Sequence, residues 1–458
     1  MNFDNSNNRY LAAAFCIVLY LMLCGWVVWR EWKKRRLAAK AAAALTPAMA
    51  GTSSWLVAYA SQTGNAEQLA WQTARALHTT GIPARISPLS QLNADDLQQC
   101  ERALFITSTY GEGDPPDNAT LFARKFMSTS LNLSQLHYGV LALGDREYRN
   151  FCGFGRNLDA WLQAQGGQSL FPRIDVSNSD AAALEQWRHQ LSHVAGTDDL
   201  PDWQAPAYEH WRFAAREHLN PGSAGNPVFH IELEPQPGKP LPAWQAGDLV
   251  QILAPADRER PREYSIASIP GDGRIHLLVR QERHEDGTLG VASGWLSAQA
   301  ELNAQIELRI HPHQNFRLEG NASRPLILIG NGTGLAGLRA HLKARIVQQV
   351  SRNWLIFGER NAAYDAYYQD ELAAWQTQGM LRVDRVFSRD QPERRYVQDQ
   401  LRDAANTVLE WINNDAAIYV CGSLEGMASS VEAALVDIIG TEGVERLIEA
   451  GRYRRDVY

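Results

Sequence analysis

Ser61-Gln62-Thr63-Gly64-Asn65-Ala66 follows an apolar run, Trp55 to Ala60, and leads into a helical pattern. Hydroxyls and successive backbone N–H groups at a helix N-terminus can wrap one phosphate, although the same residues also make an ordinary capped turn. Two further loops follow later apolar runs in the same way. Ser108-Thr109-Tyr110-Gly111-Glu112-Gly113-Asp114 comes after residues 102–107, and Leu143-Gly144-Asp145-Arg146-Glu147-Tyr148-Arg149-Asn150-Phe151-Cys152 continues the run at 139–143. Glycine lets a backbone approach a flat ring. Tyr110 on one side, with Tyr148 and Phe151 on the other, can stack on that ring, whereas each aromatic alone serves equally as packing. Three such loops at three successive strand ends describe a site for a phosphate joined to a flat ring.

The second half of the chain offers a different set. Arg262-Glu263-Tyr264-Ser265 supplies a guanidinium for phosphate, a phenol for a ring face and a hydroxyl for a reactive ring nitrogen, or else it is a surface strand. Gly290-Val291-Ala292-Ser293, just before Gly294-Trp295-Leu296, suits a helix N-terminus that receives a pyrophosphate. Leu326 to Gly330 runs into Asn331-Gly332-Thr333-Gly334-Leu335-Ala336-Gly337, where Gly332, Gly334 and Gly337 spell GxGxxG. A dinucleotide fold of that type wants an acidic residue after the next strand, and Glu359 is the candidate. The preferred reading is different, because this loop follows a barrel rather than opening a domain. In residues 386–396, Ser388, Arg389, Arg394 and Tyr396 can gather around a 2'-phosphate, or form a solvated charged loop. Cys421, ending the apolar run 417–421, is either a buried strand thiol or a polarizable ring support, and Asp456 either a tail charge or a stabiliser of developing positive charge.

These groups need elements to hold them. The runs at 55–60, 102–107, 139–143 and 170–176 alternate with helical patterns, which predicts an α/β doubly wound parallel sheet whose ligand sits at the carboxyl ends of its strands. Residues 197–225 read as an interdomain connection with a short helical stretch. Short β-rich runs at 228–233, 248–253, 264–267 and 275–280 then predict a small antiparallel barrel. The expected organisation is a tail at 1–9, a transmembrane helix at 10–29, a basic, Ala-rich tether at 30–52, an α/β domain at 53–196, the connection, a barrel domain at 205–320 and a nucleotide domain at 321–458.

The membrane expectation rests on Tyr10 to Trp29, an uncharged run long enough for a ~30 Å hydrocarbon core. Arg30, Lys33, Lys34, Arg35, Arg36 and Lys40 follow it and only Arg9 precedes it, unlike a secretory signal. The positive-inside rule then puts the catalytic domains in the cytoplasm, under a single-pass anchor of bacterial inner-membrane type. Elsewhere the 458 residues are ordinary globular material, 45% hydrophobic and 21% charged. A net charge of −7 argues against nucleic acid and suits a basic docking partner. Cys16, Cys24, Cys100, Cys152 and Cys421 form no CxxC pair, so neither disulfides nor a metal site is expected.

Residues 53–196 resemble the flavodoxin-like FMN domain of diflavin reductases, through SQTGN, TYGEGDPPDN and LGDREYRNFCGFGRNLD, in the version found in sulfite reductase flavoprotein subunits. The resemblance implies that Ser61, Gln62, Thr63, Gly64, Asn65 and Ala66 hold the FMN phosphate and that Tyr110 and Tyr148 flank the isoalloxazine. Ser108, Thr109, Gly111, Gly113, Leu143, Gly144, Asp145, Asn150, Phe151 and Cys152 would complete that site. Glu112, Asp114 and Asp145 would place negative charge beside the ring, or are simply solvated.

Residues 205–458 resemble the ferredoxin-NADP reductase module, whose order of RxYS, GxxS, GTG loop, FGxR, SR loop, CG strand and terminal aromatic is met throughout. This implies FAD on Arg262, Tyr264, Ser265, Gly290, Val291, Ala292 and Ser293, and NADPH on Gly332, Thr333, Gly334, Arg360, Ser388, Arg389, Arg394, Tyr396 and Gln398. Ser265, Cys421 and Asp456 would surround the place of hydride transfer, with Tyr458 stacked on the FAD ring. Three departures stand out. Gly337 replaces a usual proline, Ser423 replaces a usual aspartate, and the helical connecting domain expected near 253–262 is missing.

The function so implied is a membrane-anchored relay from NADPH to FAD to FMN to a protein acceptor, either a hemoprotein or a sulfite-reductase-type partner. A membrane metal, siderophore or quinone reductase is the alternative, and a redox-inactive flavin- and NADPH-binding scaffold is the reading from a different class.

Overall fold

A computed structural model describes residues 54–146, 148–178, 180–196 and 207–458. The first sheet contains β1 (Trp55–Ala60), β2 (Ala84–Pro88), β3 (Arg102–Ser108), β4 (His137–Gly144), β5 (Gln168–Ser169) and β6 (Ile174–Ser177). All pairs are parallel, in the order β2-β1-β3-β4-β5, with β6 also on β4. Successive side chains leave a strand on opposite faces, and here both faces are covered. Leu56, Ala58 and Phe105 meet Phe122, Phe154 and Leu158 on one side, while Val57, Leu104 and Ile106 meet Ala70, Leu77 and Trp187 on the other. Register sets Ala60 beside Thr107 and Ser108 beside Leu143, so the three candidate loops leave from one edge of the sheet.

The second sheet is antiparallel: β7 (Glu209–His218), β8 (Val228–Pro235), β9 (Leu249–Ala254), β10 (Asp257–Ser265), β11 (Ile275–Arg280) and β12 (Gln305–His311), in the order β10-β9-β12-β7-β8-β11. Its strands share one core, with Trp211, Phe213, Ile231, Val250, Leu277 and Leu308 all buried. β7 replaces the short helical stretch expected within 197–225. Trp211 and Phe213 are one strand step apart and both face this core, so residues 209–218 belong to the barrel. Residues 197–206 lie outside the described residues. Only Pro255 and Ala256 separate β9 from β10, which leaves no room there for an inserted domain.

The third sheet is parallel throughout: β13 (Leu326–Asn331), β14 (Asn353–Glu359), β15 (Arg382–Phe387), β16 (Ala417–Gly422) and β17 (Tyr453–Val457), in the order β15-β14-β13-β16-β17. Helices Leu335–Val347 and Ser429–Glu449 pack on opposite faces.

The single-pass membrane placement with cytoplasmic catalytic domains is corrected. It rested on residues 10–29, which lie outside the described residues, and among the described residues no helix is long and apolar enough to cross a membrane.

Burial of histidines gives the fold a pH signature. His341 is fully buried against Phe316 and Tyr419, and desolvation pushes its pKa from 6.5 down to about 3. The unfolded chain therefore binds this proton first as pH falls, so the stability the neutral ring confers is present above about pH 6.5 and lost toward pH 3. Thermal unfolding of the wild type and His341→Leu across pH 7 to 4 should show a shallower decline of the midpoint in the variant. Parallel curves would refute this origin.

Candidate active site

A cavity of about 680 Å³ opens where the loop edge of the first sheet meets the barrel and the end of β17. Residues from all three loops line it, among them Thr63, Asn65, Thr109, Tyr110, Tyr148 and Phe151. The barrel side adds Arg262, Tyr264, Ser265 and the segment Gly290 to Ser293, and the third sheet adds Thr333, Asp456 and Tyr458. Of the expected site residues on these elements, Gly64, Ala66, Gly113, Gly332, Gly334 and Cys421 do not line the cavity.

Each loop is shaped by bonds of its own. Ser61 Oγ accepts from the N–H groups of Gly64 (2.9 Å) and Ala66 (3.2 Å), and Ser108 Oγ accepts from Gln62 N–H (3.2 Å) while donating to the Ala60 carbonyl (3.1 Å). These two hydroxyls hold the first loop's curvature, which leaves Thr63 and Asn65 facing the cavity. Asn150 Nδ2 donates to the Glu112 carbonyl (2.6 Å) and so ties the second loop to the third. Among the described residues Thr109 Oγ1 is buried without a partner, as fits a wall that a polar ligand group completes. Cys152 faces inward, bonded to the Ala142 carbonyl (3.2 Å), and burial pushes its thiol up to about 12, so it is an inert part of the wall.

On the opposite wall, parallel register sets Cys421 of β16 beside Asp456 of β17. Ser265, the last residue of β10, donates its hydroxyl to Asp456 Oδ2 at 2.8 Å, and Cys421 Sγ lies 3.6 Å from the same oxygen. Burial, then the Asp456 carboxylate, raises the Cys421 thiol well above its ordinary range, so it stays protonated as a weak donor. Gly334 has no space for a Cβ, which would strike the Cys421 carbonyl. A Cβ at Gly337 would meet Phe316 (3.1 Å) and Cys421 Sγ (3.5 Å), so the glycine that replaces proline packs directly behind this face. Tyr458 is 55% exposed over the cavity, its hydroxyl 3.1 Å from Thr333 Oγ1.

The expected 2'-phosphate residues gather elsewhere, beyond β14 and β15. Ser388 and Arg389 donate backbone N–H groups to the carbonyls of Glu359 (2.8 Å) and Arg360 (2.9 Å), which sets the two loops side by side. Arg394 and Tyr396 are exposed there, and the buried Gln398 Oε1 has no partner among the described residues. Glu359, the alternative ribose ligand, is held by Arg280 (2.9 Å) and by the Tyr367 hydroxyl (3.2 Å). One grouping had no sequence signal: His230, Glu232 and His276 come together, but Arg274 sits 2.6 Å from Glu232 and Arg339 3.4 Å from His276, where both oppose a cation.

The seam between the first sheet and the rest is also built from residues that sequence reasoning missed. Arg455 of β17 forks onto Asp117 and also meets Glu432 (2.9 Å), while its carbonyl accepts from Gln62 Nε2 (3.3 Å). The Tyr110 hydroxyl donates to the Val457 carbonyl, and Asn315 Nδ2 donates to the carbonyls of Ser61 (2.8 Å) and Gln62 (3.2 Å). Strand alternation explains the arrangement. Arg455 turns to Asp117 of the first domain and Asp456 to Ser265 of the barrel, so neighbouring residues of β17 serve the two walls.

Residues 57–190 match the flavodoxin family, and residues 328–433 match the oxidoreductase NAD-binding domain family. The chain is 28% identical to the sulfite reductase [NADPH] flavoprotein alpha-component of Vibrio cholerae, over 90% of this chain and 88% of that protein. The protein of the same name from Neisseria meningitidis is 28% identical over 87% and 88%, and that from Mannheimia succiniciproducens 27% identical over 87% and 89%. The Vibrio alignment spans 545 positions, more than the 458 residues present here, so that relative carries segments this chain lacks.

Proposed function

The chain belongs to the diflavin reductase family, and from that premise we propose that it passes electrons from NADPH through FAD and FMN to a protein acceptor, a hemoprotein of the kind that partners sulfite reductase flavoproteins. It is an NADPH-dependent flavoprotein reductase using FMN, FAD and NADPH. The observation that carries the relay is the shared cavity: the loop edge that suits FMN and the barrel face that suits FAD line the same space. When bound, FAD supplies two-electron exchange with nicotinamide, and the flavin pair supplies electrons one at a time.

The side chains do the rest. Thr63 and Asn65, which face the cavity, would bind the FMN phosphate, with Tyr110 and Tyr148 against its ring. Arg262 and the turn Gly290 to Ser293 would hold the FAD pyrophosphate, with Tyr264 on its ring. Asp456, held by Ser265, would stabilise positive charge on the nicotinamide, and Tyr458 would cover the ring face where nicotinamide enters. Arg360, Ser388, Arg389 and Arg394 would select the 2'-phosphate.

An anaerobic NADPH titration of the full flavin-loaded chain tests this. Absorbance should bleach to the full content of both flavins. Bleaching of the FAD share alone would refute a relay within one chain, and no bleaching would favour the redox-inactive scaffold.

A further inference from the structure

His313 is wholly buried, and neither ring nitrogen has a hydrogen-bond partner among the described residues. An imidazole buried this way carries a desolvation cost that an apolar ring of similar size would avoid. Its position is nevertheless tightly defined. The ring stacks on Phe316 (5.9 Å between centroids, 22°), and its backbone N–H donates to Asp248 Oδ1 (3.0 Å). This sets Nδ1 3.9 Å from Asp456 Oδ1, while the other carboxylate oxygen accepts from Ser265 and faces Cys421. Ser265, Asp456 and His313 therefore form a line from the cavity wall into the core.

We propose that His313 is a positioning residue that holds, behind Asp456, the proton left at the hydride-transfer face when electrons move on singly. This rests on the reading of Ser265, Cys421 and Asp456 as that face. The balance is simple. A hydride from NADPH brings two electrons and one proton; the electrons go to the FMN side and then to the acceptor, and the proton stays. The Ser265 hydroxyl, which donates to Asp456 Oδ2, would hand such a proton to the carboxylate while taking another from the cavity side. That proton then passes to His313 Nδ1, giving an imidazolium beside a restored carboxylate, and leaves by the reverse path, through Asp456 and the Ser265 hydroxyl to water in the cavity.

The surroundings favour such a pair. Asp248, just before β9, is neutralised by the bidentate Arg317 (2.6 and 2.8 Å), and burial holds Glu263 of β10 toward its neutral form. His311, at the end of β12, and His341 from helix Leu335–Val347 are both held neutral by burial, and Arg454 and Arg345 are the cations near His341. Asp456 is therefore the carboxylate left to pair with His313.

The test uses the flavin-loaded full chain and His313→Asn, with two readouts: the pH dependence of the FAD midpoint potential, and the flavin-to-flavin rate after NADPH mixing in H2O and D2O. The variant should lose a titration step from the potential–pH curve and slow the flavin-to-flavin step by about tenfold or more, with the KM for NADPH unchanged. Superimposable potential–pH curves and equal solvent isotope effects would overturn the proposal, even if the rate fell. Should the variant fail to fold, 15N-histidine NMR of the oxidised wild type and Asp456→Asn decides. A His313 signal that responds to pH, and responds differently once Asp456 is neutral, supports it, whereas one that is the same in both proteins overturns it. A wild type that NADPH does not bleach overturns the functional reading itself, whereas failure of the histidine readouts in a bleaching enzyme overturns only the role of His313.

Discussion

Asp456→Asn should slow NADPH-driven bleaching of the FAD by about 10²-fold or more, with flavin content unchanged. The carboxylate is 7% exposed, accepts the Ser265 hydroxyl at 2.8 Å and lines the cavity. In such a dry site a fixed negative charge stabilises the cationic ring that nicotinamide becomes, and a neutral amide of the same shape cannot. Because this charge matters most as hydride leaves, the loss should appear in kcat more than in KM. A second effect follows from Cys421, whose thiol the carboxylate pushes upward; in the variant its pKa should fall toward the ordinary range, with burial still holding it high. Stopped-flow absorbance at saturating NADPH gives the rate, and the pH dependence of thiol alkylation in the unfolding-protected state gives the second. A rate within threefold of wild type would remove Asp456 from the hydride-transfer face.

What the sequence disclosed follows from locality. The strand-end loops were legible because a parallel sheet covered on both faces writes its strands as unbroken apolar runs, and the ligand loops directly follow β1, β3 and β4. β2, ARISP, was passed over, since it is short and half polar, with only Ala84 and Ser87 buried. β7 was misread because polar residues interleave with Trp211 and Phe213 beside a stretch rich in proline and tryptophan. The meeting of Ser265, Cys421 and Asp456 came from the resemblance, and register alone accounts for half of it by pairing Cys421 with Asp456. His313 and Arg455 carried no signal at all. Their partners lie far away in sequence, 338 positions in the case of Arg455 and Asp117, and no local pattern marks a side chain whose role is set by another domain.

Arg455→Gln should leave NADPH reduction of FAD within about twofold of wild type while slowing delivery to FMN by tenfold or more. The relatives span more positions than this chain, and here β9 passes to β10 through two residues, so no inserted domain at that point sets the angle between the flavin-binding walls. Among the described residues, direct contacts are what can do so. Among them Arg455 is the most buried charge, with its side chain 16% exposed against Asp117 at 20%, whereas Lys125–Glu449 and Arg124–Glu432 lie on the wetter rim. An exposed pair contributes ~0–1 kcal/mol, while removing one partner of a buried pair costs about 3–5 kcal/mol because the other charge is stranded. In this protein the stranded Asp117 has an escape that a core residue lacks: the first domain can undock and rehydrate it. The penalty is therefore capped by the docking free energy and should appear as a shift toward undocked molecules rather than as unfolding. Thermal midpoints would then barely move, while cross-linking between the two halves would fall. Asp117→Asn should give the same phenotype, and the double variant should be no slower than either single one, since each already breaks the same pair. Independent, additive losses would show that Arg455 and Asp117 act through different partners, and that Tyr110 on the Val457 carbonyl, with Asn315 on the first loop, carries the docking instead.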